Sequence, residues 1–406
     1  MTAQAARRRY ALISFLTWLP TGLFIPVMVL LLLERGIGVT TVATLGVAYS
    51  ATIMLLELPT GGLADVIGRR PMMIASATAN LAGLLLFGLV DSLWLLAISS
   101  VLRGVGRALG SGPIEAWYVD QAPDDAAELT RGLSVGVMAS SVALAVGTVA
   151  GALIPVGLGV SLVVPVLIAV GAEAVLLVVT LVAMPESKYE ATTLRSIVRG
   201  VPAVIAGGVR LAVRNLALTR ILMVSAGMGV TLSVIELLTP GRLAELAGSA
   251  DRGVLAYGLV AAIGFAADAF GSGLSAALLR RLGSVRAVSL TGYGVSVLAL
   301  AAMAVAIAMS GFAGILAAAV AYLLMFVGFG IAAGPVAQLL HSQVTTAERA
   351  TVVSVQSLLL QLSGAVGAVV LGHLAVVTAP AAAFLVAAAL LAVPAARLVV
   401  PEPVRS

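Results

Sequence analysis

The chain has 406 residues, of which 61% are hydrophobic and only 10% charged, and its mean hydropathy is +1.14. A soluble domain carries roughly 25% charged residues, so this composition excludes an ordinary soluble enzyme or binding module. The net charge of +5 is dispersed through short loops, which excludes a nucleic-acid patch, and the absence of cysteine removes disulfides, thiolate metal sites and cysteine nucleophiles.

In chain order, Arg7, Arg8 and Arg9 precede an apolar run from Tyr10 to Leu33. That run is too long for a signal-peptide core and has no small-residue cleavage site, so it is expected to remain as the first spanning helix. A span needs about 20 apolar residues. Breaks between such runs fall at Glu34 to Thr40, Ala64 to Arg70, Asp91, Gln121 to Arg131, Gly157 to Ser161 and Pro185 to Asn215, which delimit six helices. Further breaks at Pro240 to Gly253, Arg280 to Arg286, Ser310 to Gly311, His341 to Arg349 and Thr378 to Pro380 delimit six more. The reading is an all-α polytopic membrane protein with twelve transmembrane helices.

Basic loops resist translocation. With the N-terminus inside, eighteen of the 23 basic residues fall in cytoplasmic segments, and only Arg35, Arg242 and Arg252 fall in outer loops. The expected topology is therefore a multi-pass protein of the cell membrane with both termini cytoplasmic. Between Pro185 and Asn215, Arg195, Arg199, Arg210 and Arg214 are spaced to suit an amphipathic helix on an anionic leaflet. The segment divides the chain into residues 1–186, a linker at 187–217 and residues 218–406. Gly68-Arg69-Arg70 after the second span is echoed by Arg280-Arg281-Leu282-Gly283 after the eighth, as a degenerate repeat of six helices would require.

The segment Gly61-Gly62-Leu63-Ala64-Asp65-Val66-Ile67-Gly68-Arg69-Arg70 resembles the signature that the major facilitator superfamily carries between its second and third helices. It departs at Val66, where the family usually has a basic residue. The resemblance in topology covers essentially the whole chain and implies two pseudo-symmetric six-helix bundles with substrate at the midplane. It also implies that Gly61, Asp65, Gly68, Arg69 and Arg70 form an inner latch, with Glu115 and Asp120 at the inner end of the fourth span as acidic partners. Physically, the glycines permit close approach and a tight turn, and Asp65 can cap the next helix or pair with an arginine.

The fourth span, which begins at Leu93 after Asp91, carries Arg103 about 15 Å below its start, near the bilayer centre, with Arg107 one turn further on the same face. A buried arginine there costs at least about 2.5 kcal/mol, so it is expected to face a wet cavity or a carboxylate. The stretch resembles the helix 4 arginine motif of proton-coupled drug antiporters, although Gly106 and Arg107 replace the usual glutamine and glycine. The run from Ser111 to Asp120 resembles bacterial drug-efflux-like permeases. Ala143 to Ala152 resembles the glycine-rich antiporter motif, with Thr148 in place of proline; small residues at that spacing also serve plain helix packing.

Embedded acids are functional candidates because their charge is costly in the membrane. Asp268 is expected to be the proton partner of Arg103, with Glu57 second. Glu173 is expected to be structural, because the sixth helix of this fold usually lies at the periphery. Thr17, Trp18 and Thr21 give the first span a polar and aromatic stripe, and with Glu236 and Gln361 they are the candidate substrate-cavity residues. His341 and His373 are too far apart in sequence to suggest a zinc site. No phosphate-binding loop occurs, so no cofactor is expected and energy must come from a gradient.

The expected function is alternating-access transport, with proton-coupled efflux of a small amphiphilic compound ahead of metabolite uptake by symport. A receptor or scaffold that kept the fold is the reading from another class. The expected partners are the small-molecule substrate, protons and the lipid bilayer, with no nucleic acid and a monomeric state.

Overall fold

The computed structural model describes residues 3–121, 126–185, 206–207, 210–211, 213–344 and 349–398. In chain order the helices are α1 (Ala3–Phe24), α2 (Met28–Glu34), α3 (Val39–Ile67), α4 (Arg69–Leu89), α5 (Leu93–Gly110), α6 (Pro113–Gln121), α7 (Ala126–Leu158) and α8 (Val163–Ala183). They are followed by α9 (Leu216–Ala247), α10 (Ala250–Leu282), α11 (Val285–Ala306), α12 (Gly311–Ser342), α13 (Arg349–Val377) and α14 (Pro380–Ala396). Among the described residues, eleven segments are long and apolar enough to cross a membrane, counting α1 with α2 and α5 with α6 as one each. The twelfth apolar segment is α14, whose 17 residues are at the short end of what a span requires. The twelve expected spans are thus present, and the chain is a multi-pass membrane protein.

Local chemistry explains where the helices stop. Pro26 sits in the turn between α1 and α2, where its missing N–H interrupts the ladder. Gly112 at φ +93° ends the turn after α5, and Pro113 opens α6 at a position that needs no donor. In the second half, α9 runs unbroken through Pro240 and ends instead at Gly248, where the sequence expected a break from Pro240 onward. Gly248 takes φ +76°, and Ser249 then accepts the amide of Arg252 as the cap of α10. The pattern recurs at Gly283 and Ser284, where the serine accepts the amide of Ala287. A left-handed glycine followed by a capping serine stops one helix and starts the next within two residues.

The chain divides into two compact units, Met1–Arg35 with Ala48–Val201, and Gly36–Val47 with Pro202–Ser406. In the first, α1 packs on α7 and α8, and α4 packs on α5 and α8. The approach of α1 to α7 depends on small residues: a Cβ on Gly147 would come within 2.8 Å of the Leu19 carbonyl oxygen and 3.0 Å of the Gly22 Cα. In the second, α12 packs on α10 and α11, while α9 packs on α13 and α14.

Arg35, just beyond α2, donates from Nη1 to the carbonyls of Phe87 (2.7 Å) and Val90 (3.0 Å) and from Nη2 to that of Gly88 (2.7 Å). It therefore closes the C-terminal end of α4, whose last carbonyls have no intrahelical partner. Its Nε lies 3.1 Å from Asp91 Oδ1. Arg242, near the end of α9, does the same for the end of α11, donating to the carbonyls of Ile307 (2.7 Å) and Met309 (3.4 Å) and pairing with Glu245 at 2.6 Å. Each staple joins the first and third spans of its own unit.

A charged cavity in the first unit

Helix α5 sets Arg103 and Arg107 one turn apart on one face. The Arg103 guanidinium lies 3.9 Å from the centre of the Phe24 ring, with Tyr49 at 5.4 Å and Phe87 at 6.0 Å. Its stem runs against Gly83, where a Cβ would meet Cγ at 2.6 Å. The Arg107 guanidinium lies 4.8 Å from the Trp18 ring centre. Positive charge over an aromatic face is stabilised by the ring quadrupole, and more so where water is scarce.

Both arginines line a small cavity whose empty space, counted together with the open solvent at its mouth, is about 580 Å³. Its walls include Thr17, Trp18 and Thr21 from α1, Tyr49 from α3, Ser76 and Asn80 from α4, and Glu173 from α8. Glu173 is 3% exposed, and its Oε2 has no hydrogen-bond partner among the described residues. Arg103 lies within its electrostatic reach. Among the described residues, neither Arg103 nor Arg107 makes a hydrogen bond or ion pair through its side chain, whereas the Thr17 and Ser76 hydroxyls are spent on the carbonyls of Ile13 and Gly106.

A second group lies at the other end of α4. Arg69 Nε donates to Asp120 Oδ2 at 2.8 Å, with the two side chains 16% and 32% exposed. Arg70 donates to the Leu181 carbonyl, Arg9 to that of Ala183 at 3.1 Å, and Trp117 Nε1 to that of Pro185 at 3.1 Å, so three donors from separate helices close the end of α8. Tyr118 stacks on Tyr10 with ring centres 4.6 Å apart and planes at 15°. Gly68, at φ +104°, makes the turn from α3 into α4. Glu115 is exposed, within electrostatic reach of Tyr10. The surroundings of Glu57, Gly61 and Asp65 on α3 lie outside the described residues.

In the second unit, Glu236 on α9 lies within electrostatic reach of Tyr257 and Tyr322, which share a hydrogen bond. Asp268 is half-buried on α10, whose face there packs closely against Gly330 of α12. Gln361 is half-buried on α13. Of the cavity residues named from sequence, Thr17, Trp18 and Thr21 come together with Arg103 and Arg107, while Glu236 and Gln361 belong to the second unit. Sequence reasoning missed Tyr49 and Asn80 as cavity residues and placed Glu173 as structural. Glu173 had a readable signal: it is the lone charge in the apolar run of α8, and an isolated intramembrane acid marks a site by default.

A family model described as Major Facilitator Superfamily matches residues 10–368. No curated protein matches the sequence. Among solved structures, a mutant of the nucleoside transporter NupG superposes with a TM-score of 0.77 at 13% identity, covering 97% of this chain and 98% of that one. A mutant of the peptide transporter POT superposes with a TM-score of 0.75 at 14% identity, covering 97% and 93%. A POT family transporter in complex with 5-aminolevulinic acid gives 0.71 at 14% identity, covering 98% of both chains. At such identities the likeness is one of fold.

Proposed function

Because the chain belongs to the major facilitator superfamily, we propose that it is a secondary active transporter that moves a small amphiphilic compound by alternating access, coupled to protons. Family membership and the twelve apolar segments support membrane transport as such. The observation that carries the proposal further is the placement of Arg103 and Glu173 on one cavity. A carboxylate removed from water is costly to keep charged, and the fixed positive charge of Arg103 offsets that cost only while the two stay within reach. A conformational change that alters their separation changes whether Glu173 holds a proton, which is the linkage that coupling needs. The resemblances of the fourth and fifth spans to antiporters favour export. Uptake by symport is the second reading, favoured by two guanidiniums facing one described carboxylate.

In this reading Arg69, Arg70 and Asp120 act with Asp65, Gly61 and Gly68 as a latch on the cytoplasmic side, and residues 187–217 form the link between the bundles. Substrate flux into proteoliposomes across an imposed pH step tests the coupling role. Arg103→Ala abolishes pH-driven flux, and Arg103→Lys, which keeps the charge but not the planar fork, restores part of it. Full pH-driven flux in Arg103→Ala would rule the role out and leave Arg103 as a charge that holds α5 against its neighbours.

A further inference from the structure

We infer that the cavity between α1, α4, α5 and α8 binds a small organic anion, an acidic headgroup on a flat apolar body, with Arg107 as its charge anchor. The inference rests on the transport reading above and adds the sign of the substrate's charge and the shape of its body.

Charge balance sets the sign. Among the described residues, two guanidiniums line the cavity against one acid, Glu173, so one of these positive charges has no described counterion there even when Glu173 is ionised. Arg103 is the one Glu173 can offset, since Arg103 is the cation within its electrostatic reach. Among the described residues Arg107 has no such partner: it is exposed, it lines the cavity, and its guanidinium lies against the face of Trp18. A ring face attracts a guanidinium but leaves its five N–H donors free, and these are arranged to grip a carboxylate or phosphate with two parallel bonds. A cationic substrate would meet two like charges in a poorly screened site.

The walls set the body. Trp18 and Tyr49, both half-buried, present aromatic surface beside the two guanidiniums, which suits a flat apolar ligand better than a hydrated inorganic ion. Glu173 gives the anion a competitor for Arg103. When Glu173 is protonated that competition ends, so anion and proton are expected to bind cooperatively, which favours the symport reading over export.

The test is equilibrium binding to the purified full chain in nanodiscs, with four probes of one size: 2-naphthoate, naphthyl phosphate, the neutral 2-naphthamide and the cation naphthylmethyl-trimethylammonium. The expected result is that at least one anion binds roughly tenfold or more tightly than the amide, while the cation binds more weakly than the amide. Arg107→Gln is expected to erase the preference for the anion, and Arg107→Lys to recover part of it, with both variants checked for a single symmetric gel-filtration peak. Equal binding of anion and amide, tighter binding of the cation, binding of none of the anions, or an undiminished preference in a well-folded Arg107→Gln would overturn the inference. Flux in proteoliposomes separates the two readings: anion binding with no flux of any probe removes the transport reading alone, and flux of the cation without anion binding removes the anion site alone.

Discussion

Replacing Arg35 by Ala removes three hydrogen bonds from a charged donor to the carbonyls of Phe87, Gly88 and Val90. Bonds to charged groups contribute about 1.5 kcal/mol net at the low end, so three would give about 4.5 kcal/mol if they added. Two considerations lower that figure. The bonds share one side chain and are not independent, and Asp91 beside them is 83% exposed, so water reaches this end of α4 and takes over part of the bonding. The ion pair itself adds little for the same reason. A loss of about 2–3 kcal/mol is expected, which lowers the unfolding midpoint by about 3 °C if the whole chain melts together. Thermal unfolding in one detergent, at one scan rate, measures it. Arg242→Ala loses two carbonyl bonds rather than three and is expected to cost less. Arg252, in the first turn of α10, is exposed, and its alanine variant is expected to stay within about 0.5 kcal/mol of wild type. If all three variants melt alike, the staples do not contribute as described.

The pair between Arg69 and Asp120 is partly exposed, so Asp120→Asn is expected to change stability by less than about 1 kcal/mol while slowing flux several-fold; unchanged flux, with unchanged distances between spin labels on the inner ends of the helices, would remove it from the gating role. Glu173→Gln fixes the neutral form of the side chain facing Arg103, with Arg107 and Tyr49 the other ionisable groups on that cavity among the described residues. Substrate binding to this variant is expected to lose the pH dependence of the wild type and to match the affinity that wild type shows at its acid limit, and a variant that still titrates like wild type would assign the proton elsewhere.

The spans were legible because hydropathy alone decides them: a segment in lipid must satisfy its own backbone, and only long apolar helices do so here. Their ends were less legible, since Pro240 reads as a breaker and yet sits inside α9. Within a packed helix a proline costs one donor and a local distortion, whereas Gly248-Ser249 supplies both a stop and a start and so decides the boundary. The arginines of α5 were found from depth, but the acid that faces them was not, because depth does not tell on which side of its helix a residue points. Glu173 and Asp268 are equally embedded in sequence. Only the packing of α8 on α1 and α4 turns Glu173 into the same cavity as Arg103. The pairing of Asp120 with Arg69 joins residues 51 positions apart, a partnership suggested by resemblance rather than by spacing.

Comparison of the two units separates scaffold from site. A feature that a duplicated fold needs for its own stability is expected in both halves, and several are: Arg35 and Arg242 staple the first span to the third, and Gly68 and Gly283 turn the second into the third with a left-handed backbone. The charges of α5 do not repeat. The matching position in the second unit is occupied by α12, which between Gly311 and Leu340 holds no acidic or basic residue and instead stacks Tyr322, Phe326 and Phe329 with ring centres 4.9 and 6.1 Å apart. Two guanidiniums in a membrane helix are expensive, and the stability of the fold does not demand them, since its other half does without. A cost borne in one unit only points to the substrate, and this asymmetry favours the α5 cavity as the place where the ligand's charge is met.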